Sequence, residues 1–440
     1  MKKNLLLCHS MLTITVISIV GTFMFLSYSS TTEGLLRADK NLVTLNGPWK
    51  FTTGDSIQYA EVNYDDSKWD TMYLTAPIGA HDDDVGLSGY VPGWAAKGYP
   101  NYSGYAWYRL KVDVDSLPAG SLTLAAPPAV DDVYQLFIGG SLVGGMGDFS
   151  GAVPKVYSIQ PHMFLLPDSF KKERQITIAL RVWMSAASRG VDAGGIRIAP
   201  TLGERVHVEK VYRFQWEQTI KGYIVEVVWP ALFLLLAITI YALNRDQKPP
   251  QSCRWFVTAL ILLGLMRLNQ AIYFWFHIEN SSQAVIVGSV ILRPLVLGSW
   301  LMAWREWFDL RRPKWLPKII AALTLLFMAA QLFGISWVSH AAAIYFRTMA
   351  DYFRLSFLVL LLLIIFQGMR KQGMKDILVL VAALLMLIAL FPQEISALHI
   401  IPGIWFPYGV GVSRGQFFYV AFVLVMYGGL IQKIRLGKLK

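Results

Sequence analysis

The second half of the chain contains long apolar blocks, each close to the roughly 20 residues that an α-helix needs to cross a bilayer. A segment surrounded by hydrocarbon must satisfy its backbone polar groups internally, so these blocks predict helices. The chain of 440 residues is 55% apolar and only 16% charged, which is unusual for a soluble protein. We therefore interpret residues 216–440 as an all-α seven-helix transmembrane bundle. The predicted spans are 222–243, 255–276, 284–304, 316–335, 345–368, 376–392 and 414–432.

Positive charge is concentrated in alternate loops between these spans. Lys and Arg occur at Arg245, Lys248, Arg254, Arg305, Arg311, Arg312, Lys314, Lys318, Arg370, Lys371, Lys375, Lys433, Arg435, Lys438 and Lys440. The other loops, around Glu279, Trp337 and Ile404, are nearly free of basic residues. Positive loops face the cytoplasm, so we predict a multi-pass membrane protein with a cytoplasmic C-terminus. The net charge of +11 then reflects orientation beside membrane lipid, and no nucleic-acid partner is predicted.

Residues 1–29 resemble a secretory signal. Lys2 and Lys3 precede an apolar stretch from Leu5 to Leu26, and small residues follow at Ser27 and Ser29. This stretch is long enough to remain as an uncleaved anchor, and it is also compatible with a cleaved signal peptide. Both alternatives stay open, and both place residue 30 onward outside the cytoplasm.

Residues 30–215 predict an extracytoplasmic β-sandwich. Short runs of alternating apolar and polar residues indicate strands at about 106–112, 121–124, 133–138 and 175–182. About eight such runs, separated by turn residues, favour an antiparallel arrangement of two sheets. Neither Cys8 nor Cys253 lies in this region, so the domain is expected to fold without disulfides.

Motifs within this region resemble a known domain. They are Leu45-Asn46-Gly47-Pro48-Trp49-Lys50-Phe51, Asp65-Asp66-Ser67-Lys68-Trp69, Tyr102-Ser103-Gly104-Tyr105-Ala106-Trp107-Tyr108-Arg109 and Asp131-Asp132-Val133-Tyr134-Gln135-Leu136-Phe137-Ile138-Gly139-Gly140. In this order they look like the galactose-binding-like jelly roll that opens glycoside hydrolase family 2 enzymes. The resemblance covers about residues 43 to 200 and implies carbohydrate binding. The catalytic barrel of those enzymes is absent here, so no enzymatic activity and no catalytic residue are predicted.

The order of a jelly roll followed by seven helices is similar to the bacterial seven-transmembrane receptors with diverse intracellular signalling modules. That resemblance implies a sensor in the bacterial inner membrane for a carbohydrate or another small extracytoplasmic ligand. The chain departs from the family because it carries no intracellular module. Either it is a fragment, or a separate cytoplasmic signalling protein receives the output. The alternative function is a membrane component of polysaccharide binding, export or transport. Ligand identity and oligomeric state are left open.

The predicted ligand-binding residues lie in a long loop, about 79–105, and at the start of a strand. Long irregular loops in compact domains are often functional, and exposed aromatic faces stack on sugar rings. The predicted residues are Trp94, Tyr99, Tyr102, Tyr105, Asp131 and Asp132. The alternative is that the rings close one end of the sandwich and that the two carboxylates cap a turn.

Two further groups have simpler interpretations. Trp49, Phe51, Trp107 and Tyr108 are predicted to be core residues of strands. The run of acidic residues at 82–84 lacks the alternating spacing of a calcium loop and is read as an acidic turn. No metal site and no cofactor are predicted.

Charged residues inside membrane spans are costly and therefore informative. Arg267, Arg293, Arg347, Asp351 and Arg354 lie within or near predicted spans, and the last three share one helix face. Asp351 is expected to pair with one of the arginines, and Glu226 is a further candidate partner. The functional interpretation is a polar cluster between the helices that rearranges during signalling. The alternative is snorkelling of long side chains to the lipid headgroups.

Overall fold

The computed structural model describes residues 10–19, 21, 41–82, 85–113, 117, 120–167, 170, 173–244, 250–335, 340–372, 377–397, 404–405, 412–413 and 415–435. The positions 27–29, which fit a signal-peptidase site, lie outside these residues. Within the first apolar stretch, helix α1 spans Ser10–Ile19. Its residues Met11, Leu12 and Ile19 pack against the main cluster of buried side chains formed by the later helices.

Antiparallel strands make up the first domain, which we call the sandwich domain. They are β1 (Leu42–Thr44), β2 (Trp49–Thr53), β3 (Asp70–Met72), β4 (Gly104–Asp113), β5 (Leu122–Ala125), β6 (Val130–Asp131), β7 (Val133–Ile138), β8 (Ser141–Met146), β9 (Met163–Leu165), β10 (Gln175–Met184), β11 (Gly195–Ile196) and β12 (Thr201–Glu204). One sheet has the order β1-β12-β5-β9, and a larger one has the order β3-β2-β4-β10-β7-β8. The strands predicted from alternation are confirmed to within about two residues at their ends.

The core of the sandwich domain lies between its two sheets. Leu124 and Leu202 of the smaller sheet share one buried cluster with Tyr108, Leu136 and Leu180 of the larger sheet. In β10, alternate residues from Ile176 to Met184 are buried in this core, as expected when successive side chains point to opposite faces of a strand. The opposite face of the larger sheet carries polar and aromatic side chains, which are described below.

Helices follow the sandwich domain. They are α2 (Arg205–Leu243), α3 (Gln251–Trp275), α4 (Ser281–Trp307), α5 (Leu316–Gly334), α6 (His340–Gln372), α7 (Ile377–Leu390), α8 (Pro392–Ala397) and α9 (Gly415–Arg435). Among the described residues, five helices, α2 to α6, are long and apolar enough to cross a membrane. Helices α7 and α9 coincide with the sixth and seventh predicted spans. The count of seven spans stays a prediction.

Large apolar side chains cover much of the outside of these helices. Leu234, Ile261, Leu326, Leu362 and Phe366 are all about half exposed. Exposed apolar surface on this scale is typical of contact with lipid. Together with the helix lengths, it identifies the second half of the chain as a membrane domain.

No linker separates the two domains. Strand β12 ends at Glu204 and helix α2 begins at Arg205. The first turns of α2 lie against β5, β9 and β12. The helix therefore begins well before residue 222, where the apolar span was predicted to start. The reason is that its first four turns mix charged and apolar residues and lie beside the sandwich domain, so mean hydropathy alone does not reveal them.

Candidate functional site

The predicted ligand loop contributes its largest ring to the core. Trp94 begins a short 3₁₀ helix and has no exposed surface. Its ring packs against Phe51 and Tyr102, with centroids 6.2 and 5.7 Å apart. A Cβ on Gly194 would lie 2.2 Å from the Trp94 ring, and this glycine has a φ of +103°. Trp94 therefore offers no free face on which a sugar could stack.

Tyr99 and Tyr102 are half-buried, and their hydroxyl groups connect the same loop to neighbouring parts of the domain. The Tyr99 hydroxyl donates to the Asp70 carboxylate, and burial together with that hydrogen bond raises the pKa of Tyr99 to about 12. The Tyr102 hydroxyl donates to the Tyr105 carbonyl and accepts from the Gly54 amide at 3.0 Å. These contacts fit the alternative interpretation, in which the rings close one end of the sandwich.

Asp131 and Asp132 hold the segment between β10 and β11. Asp131 accepts from the Gly194 amide at 2.8 Å and pairs with Arg197 at 3.1 Å. Asp132 accepts from the Ser185 amide at 2.8 Å and from the Ser188 hydroxyl at 2.9 Å. Burial raises the pKa of Asp132 above its ordinary value, against the lowering effect of these hydrogen bonds. Both carboxylates are thus engaged within the fold.

Asp82 is also engaged locally. Its carboxylate accepts from the amides of Val85 at 2.7 Å and of Gly86 at 3.3 Å, and also from the Leu87 amide. Asp83 and Asp84 lie outside the described residues. Among the residues that the structure describes, no group of three or more His, Cys, Asp or Glu side chains is arranged to hold a metal ion.

Tyr105 belongs to a different group, on the outer face of the larger sheet. We call this group the Arg181 patch, and its members are Asp55, Tyr105, Gln135, Phe149 and Arg181. The Arg181 guanidinium lies 4.2 Å from the Tyr105 ring centroid and 5.6 Å from that of Phe149. It donates to Asp55 at 2.8 and 2.5 Å and to Gln135 at 2.8 Å.

The Arg181 patch is partly open to solvent. The exposed fractions of the Arg181 and Asp55 side chains are 18% and 32%. A hollow of about 400 Å³ beside the patch is lined by Gln135, Phe149 and Asp148. Hydrogen bonds from Ser150, and then from Lys155, lower the pKa of Asp148, so its carboxylate stays ionised. Sequence analysis did not identify this patch. The signal that it overlooked is a polar residue in the middle of each of two largely buried strands, Gln135 in β7 and Arg181 in β10.

The membrane domain contains a cavity of about 850 Å³. Helices α2, α3, α4, α6, α7, α8 and α9 all contribute to its wall. The cavity extends from the helix ends closest to the sandwich domain, at Phe274 and Ser281, to the middle of α4 at Arg293. Its charged lining residues are Glu226, Arg267, Arg293 and Arg354, and its polar ones include Asn269, Gln270, Ser289, Gln393 and Gln416. Three residues of the predicted intramembrane cluster are therefore brought together.

Two of the three cavity arginines are paired. Arg267 donates to Glu226 at 3.2 Å and to the Tyr419 hydroxyl at 3.2 Å. Glu226 also accepts from Gln416 at 2.7 Å. These contacts cross between α2, α3 and α9, so a carboxylate and a guanidinium far apart in sequence neutralise each other.

Arg354 is paired with helix α8. It contacts the Glu394 carboxylate at 2.6 Å and donates to Gln393 at 2.7 Å. Arg293 differs from both other arginines, because among the described residues no hydrogen bond or ion pair engages it. It directly follows the π-helical stretch Ile286–Leu292 of α4. Such widened turns are frequent at functional sites.

Arg347 and Asp351 do not reach the cavity. Arg347 is exposed and donates from Nε to the Gly334 carbonyl at 2.9 Å. Asp351 is exposed on the helix surface, and within the described part of the chain it forms no ion pair. The expected pairing of Asp351 with an arginine is therefore not found. The physical reason is that Arg354 reaches Glu394 and Arg347 reaches the end of α5, so neither turns back along α6.

The sandwich domain touches the rim of this cavity. Ser281 donates its amide to the Val156 carbonyl at 2.7 Å, and the Ser158 hydroxyl donates to the Tyr273 carbonyl at 2.7 Å. Gln160 donates to the Phe274 carbonyl at 3.2 Å. Tyr273, Phe274 and Ser281 also line the cavity. We call these contacts of residues 156–160 the rim contacts.

A stacked aromatic pair reinforces the rim contacts. Tyr223 of α2 lies face to face with Phe274 of α3, with centroids 3.8 Å apart. Tyr223 belongs to a small buried cluster with Val85 and Ile198 of the sandwich domain. The two domains are thus held together by apolar packing as well as by hydrogen bonds.

Comparison with solved structures finds enzymes that resemble part of this chain. The β-glucuronidase of Bacteroides uniformis is 21% identical, with a TM-score of 0.26, over 37% of this chain and 17% of the enzyme. A β-glycosidase from Bacteroides vulgatus is 20% identical, with a TM-score of 0.25, over 37% of this chain and 20% of the enzyme. A GH2 β-galacturonidase from Eisenbergiella tayi is 15% identical, with a TM-score of 0.23, over 37% of this chain and 24% of the enzyme.

The similarity covers about a fifth of the length of each of these enzymes. No family model matches the chain, and no curated protein matches it.

Proposed function

We propose that this chain is a bacterial membrane receptor. Its sandwich domain lies outside the cytoplasm and binds a carbohydrate, and the helices pass the resulting change to a separate cytoplasmic signalling protein. The observation that carries this proposal is the rigid connection between the two domains. Strand β12 runs directly into α2, and the rim contacts tie residues 156–160 to the ends of α3 and α4.

The connection supports signalling because a ligand shifts an equilibrium only through contacts that differ between two states. A hinged linker would let the sandwich domain move without affecting the helices. Here a shift of residues 156–160 displaces backbone carbonyls at Tyr273 and Phe274. These residues form the wall of the membrane cavity, so a change outside has a direct mechanical route into the helices.

The Arg181 patch is the proposed carbohydrate site. It combines an aromatic ring at Phe149, an amide at Gln135 and an ion pair between Arg181 and Asp55, all at a partly open surface. Sugar recognition requires a stacking surface together with fixed hydrogen-bonding groups, and these residues supply both. The contacts of Trp94, Asp131 and Asp132 favour structural roles for those residues instead.

The alternative function is a membrane component of polysaccharide binding, export or transport. The membrane cavity is the observation that favours it, since a polar space of about 850 Å³ between helices can also hold a transported solute. The rim contacts favour the receptor, because a transporter needs no rigid connection to a binding domain.

The test uses the full chain in lipid nanodiscs and a panel of neutral monosaccharides and oligosaccharides. We expect one of them to bind, and Phe149→Ala to weaken that binding about tenfold through loss of stacking. Tyr73→Ala is the matched control, because Tyr73 is an exposed aromatic residue of the same domain. We also expect slower hydrogen exchange in residues 273–281 when the saccharide is bound.

The possible results have different consequences for the proposal. A saccharide that binds without changing exchange in residues 273–281 would favour the polysaccharide component over the receptor. Equal affinity in the wild type and Phe149→Ala would place the carbohydrate site away from the Arg181 patch. If no saccharide binds, the carbohydrate part of the proposal fails.

A further inference from the structure

The membrane cavity has an uneven balance of charge. Its wall holds the guanidinium groups of Arg267, Arg293 and Arg354. Two carboxylates face them, Glu226 on Arg267 and Glu394 on Arg354. Among the described residues, three positive groups therefore meet two negative ones, and the unmatched charge is that of Arg293.

An unmatched guanidinium among helices is costly. Charged side chains within membrane helices are rare, and they usually pair with another group or mark a binding site. Arg293 lies one turn beyond Ser289 on the cavity wall, far from either end of α4. It is also only partly exposed, so it does not extend freely to the lipid headgroups as a snorkelling side chain would.

A second polar side chain in the wall has one atom without a partner. Gln416 is 3% exposed and donates to Glu226, but its buried Oε1 atom accepts no hydrogen bond. Buried polar atoms are rarely left unsatisfied, so such an atom calls for a specific explanation. A hydroxyl group on a molecule in the cavity would satisfy this atom.

We propose that the cavity binds a small organic oxyanion, and that Arg293 is its main charged contact. The planar guanidinium matches a carboxylate or a phosphate group with two parallel hydrogen bonds. A space of about 850 Å³ is much larger than a bare inorganic ion and falls in the range of sites for small organic molecules. The amide and hydroxyl groups of Gln270, Ser289 and Gln416 then face the rest of the ligand.

Paired arginines make this site selective. Arg267 and Arg354 are already neutralised, so they position the wall without adding net charge. A ligand with one acidic group restores neutrality at Arg293, whereas a neutral sugar leaves that charge unmatched. We therefore expect the acidic group of the ligand, rather than the rest of the molecule, to determine the binding affinity.

The same chemistry is present in a soluble acid and in the headgroup of an anionic lipid. We assign the site to a soluble acid, because the rim of the cavity meets the sandwich domain at Tyr273, Phe274 and Ser281. A bound acid at this rim would also influence the rim contacts. On the proposed receptor function, the site therefore lies where the acid can act as a second signal beside the carbohydrate.

The experiment measures the thermal unfolding of the full chain in nanodiscs of phosphatidylcholine, a lipid with no net charge. The probes are glucuronate and glucose 6-phosphate at millimolar concentration, and glucose is the neutral match. We expect both anions to raise the unfolding midpoint in a saturable way that depends on Arg293, and any effect of glucose to be the same in the wild type and in Arg293→Gln. In Arg293→Gln the apparent affinity for the anions should fall about tenfold or more.

Two variants control for non-specific effects. Arg347→Gln removes an exposed arginine outside the cavity and should bind the anions as the wild type does. Arg293→Lys keeps the charge and should retain part of the affinity, which separates loss of the site from misfolding. A parallel sample with phosphatidylglycerol and no solute tests for lipid, whose retention is detected by native mass spectrometry.

The outcomes are distinct. Stabilisation by phosphatidylglycerol alone, dependent on Arg293, would retain the oxyanion site but assign it to lipid. The proposal is overturned if glucuronate, glucose 6-phosphate and phosphatidylglycerol all fail to stabilise the protein, or if Arg293→Gln and Arg347→Gln respond equally. The Phe149→Ala experiment on saccharides is independent of these measurements, so failure of one proposal leaves the other intact.

Discussion

The arginines inside the two domains differ in whether a carboxylate of the fold pairs with them. In the sandwich domain, Arg109 is 1% exposed, contacts Asp66 at 2.9 Å and donates to the Glu61 carbonyl at 3.0 Å and to the Tyr59 carbonyl. Arg197 is 3% exposed and contacts both Asp131 and Asp192. In the membrane domain, Arg293 has no such partner among the described residues.

This difference separates two uses of the same side chain. Arg109 and Arg197 join loops to strands, and their partners are fixed by the fold. Removing one member of a buried pair leaves the other uncompensated, which is strongly destabilising. Arg293 makes no such connection among the described residues, and we propose that an anion bound in the cavity pairs with it instead. An arginine inside a domain is therefore informative about function only when no carboxylate of the fold pairs with it.

The largest expected effect tests whether the aromatic residues of the sandwich domain are structural. Trp94→Ala should lower the free energy of unfolding of this domain by about 3–5 kcal/mol, because it leaves a cavity in the core. Pulse proteolysis of the full chain across a urea series measures this value. Ile78→Ala changes a fully exposed residue just before this loop and should have little effect. An unchanged midpoint in Trp94→Ala would mean that its ring is not part of the core.

The next prediction compares one substitution in the two domains. Arg109→Met should cost the sandwich domain about 3 kcal/mol, because Asp66 and two carbonyl groups lose their donor. Arg293→Met should leave the unfolding midpoint of the membrane domain unchanged or raise it, because no protein partner is lost and a charge is removed. Thermal unfolding in phosphatidylcholine nanodiscs without added anion measures both.

Arg174→Met is the control for this comparison, because Arg174 is an exposed arginine of the sandwich domain. It should change stability by less than about 0.5 kcal/mol. A large loss of stability in Arg293→Met would show that the fold itself uses this arginine, and the contrast between the domains would disappear.

The smallest expected effect concerns the ion pair between Asp148 and Lys155 at the surface of the sandwich domain. Hydrogen bonds from Ser150 and Lys155 lower the pKa of Asp148, so folding favours its ionised form. This contribution is present above the ordinary pKa of an aspartate, near 4, and is lost as the pH falls through the lower value of the folded state. Asp148→Asn should therefore be slightly less stable than the wild type at pH 7, and the difference should shrink below about pH 4.

Thermal unfolding followed by tryptophan fluorescence over this pH range measures the difference. A difference that stays constant with pH would exclude ionisation as its cause. Exposed pairs contribute little in general, so the effect should be far below that of Arg109→Met.

Sequence patterns predicted the elements of both domains but only part of the candidate sites. The strands and the apolar helices follow from periodicity and hydropathy, which are local properties of the chain. The pairing of Arg267 with Glu226 depends on how α2 and α3 pack, and no local pattern encodes it. The same holds for Glu394 and Tyr419, which the sequence did not single out although they contact cavity arginines.

The aromatic residues show a second limit of sequence reasoning. Trp94 and Tyr105 both fall in one predicted loop, although Tyr105 belongs to strand β4, because the composition of this segment gives no reason to separate them. In the structure, Trp94 is buried between the sheets, whereas Tyr105 lies on the outer face beside Arg181. Side-chain direction within an irregular loop depends on backbone angles at each residue, which composition does not specify.

The junction at Glu204 and Arg205 also restricts how such a protein can evolve. A helix turns about 100° and rises about 1.5 Å for each residue added. A single insertion in the first turns of α2 would therefore rotate the sandwich domain by more than a quarter turn and separate residues 156–160 from α3. Two full turns, about seven residues, would restore the orientation but not the height. The sandwich domain is consequently not an exchangeable module, and its replacement would require the junction and the rim to change together.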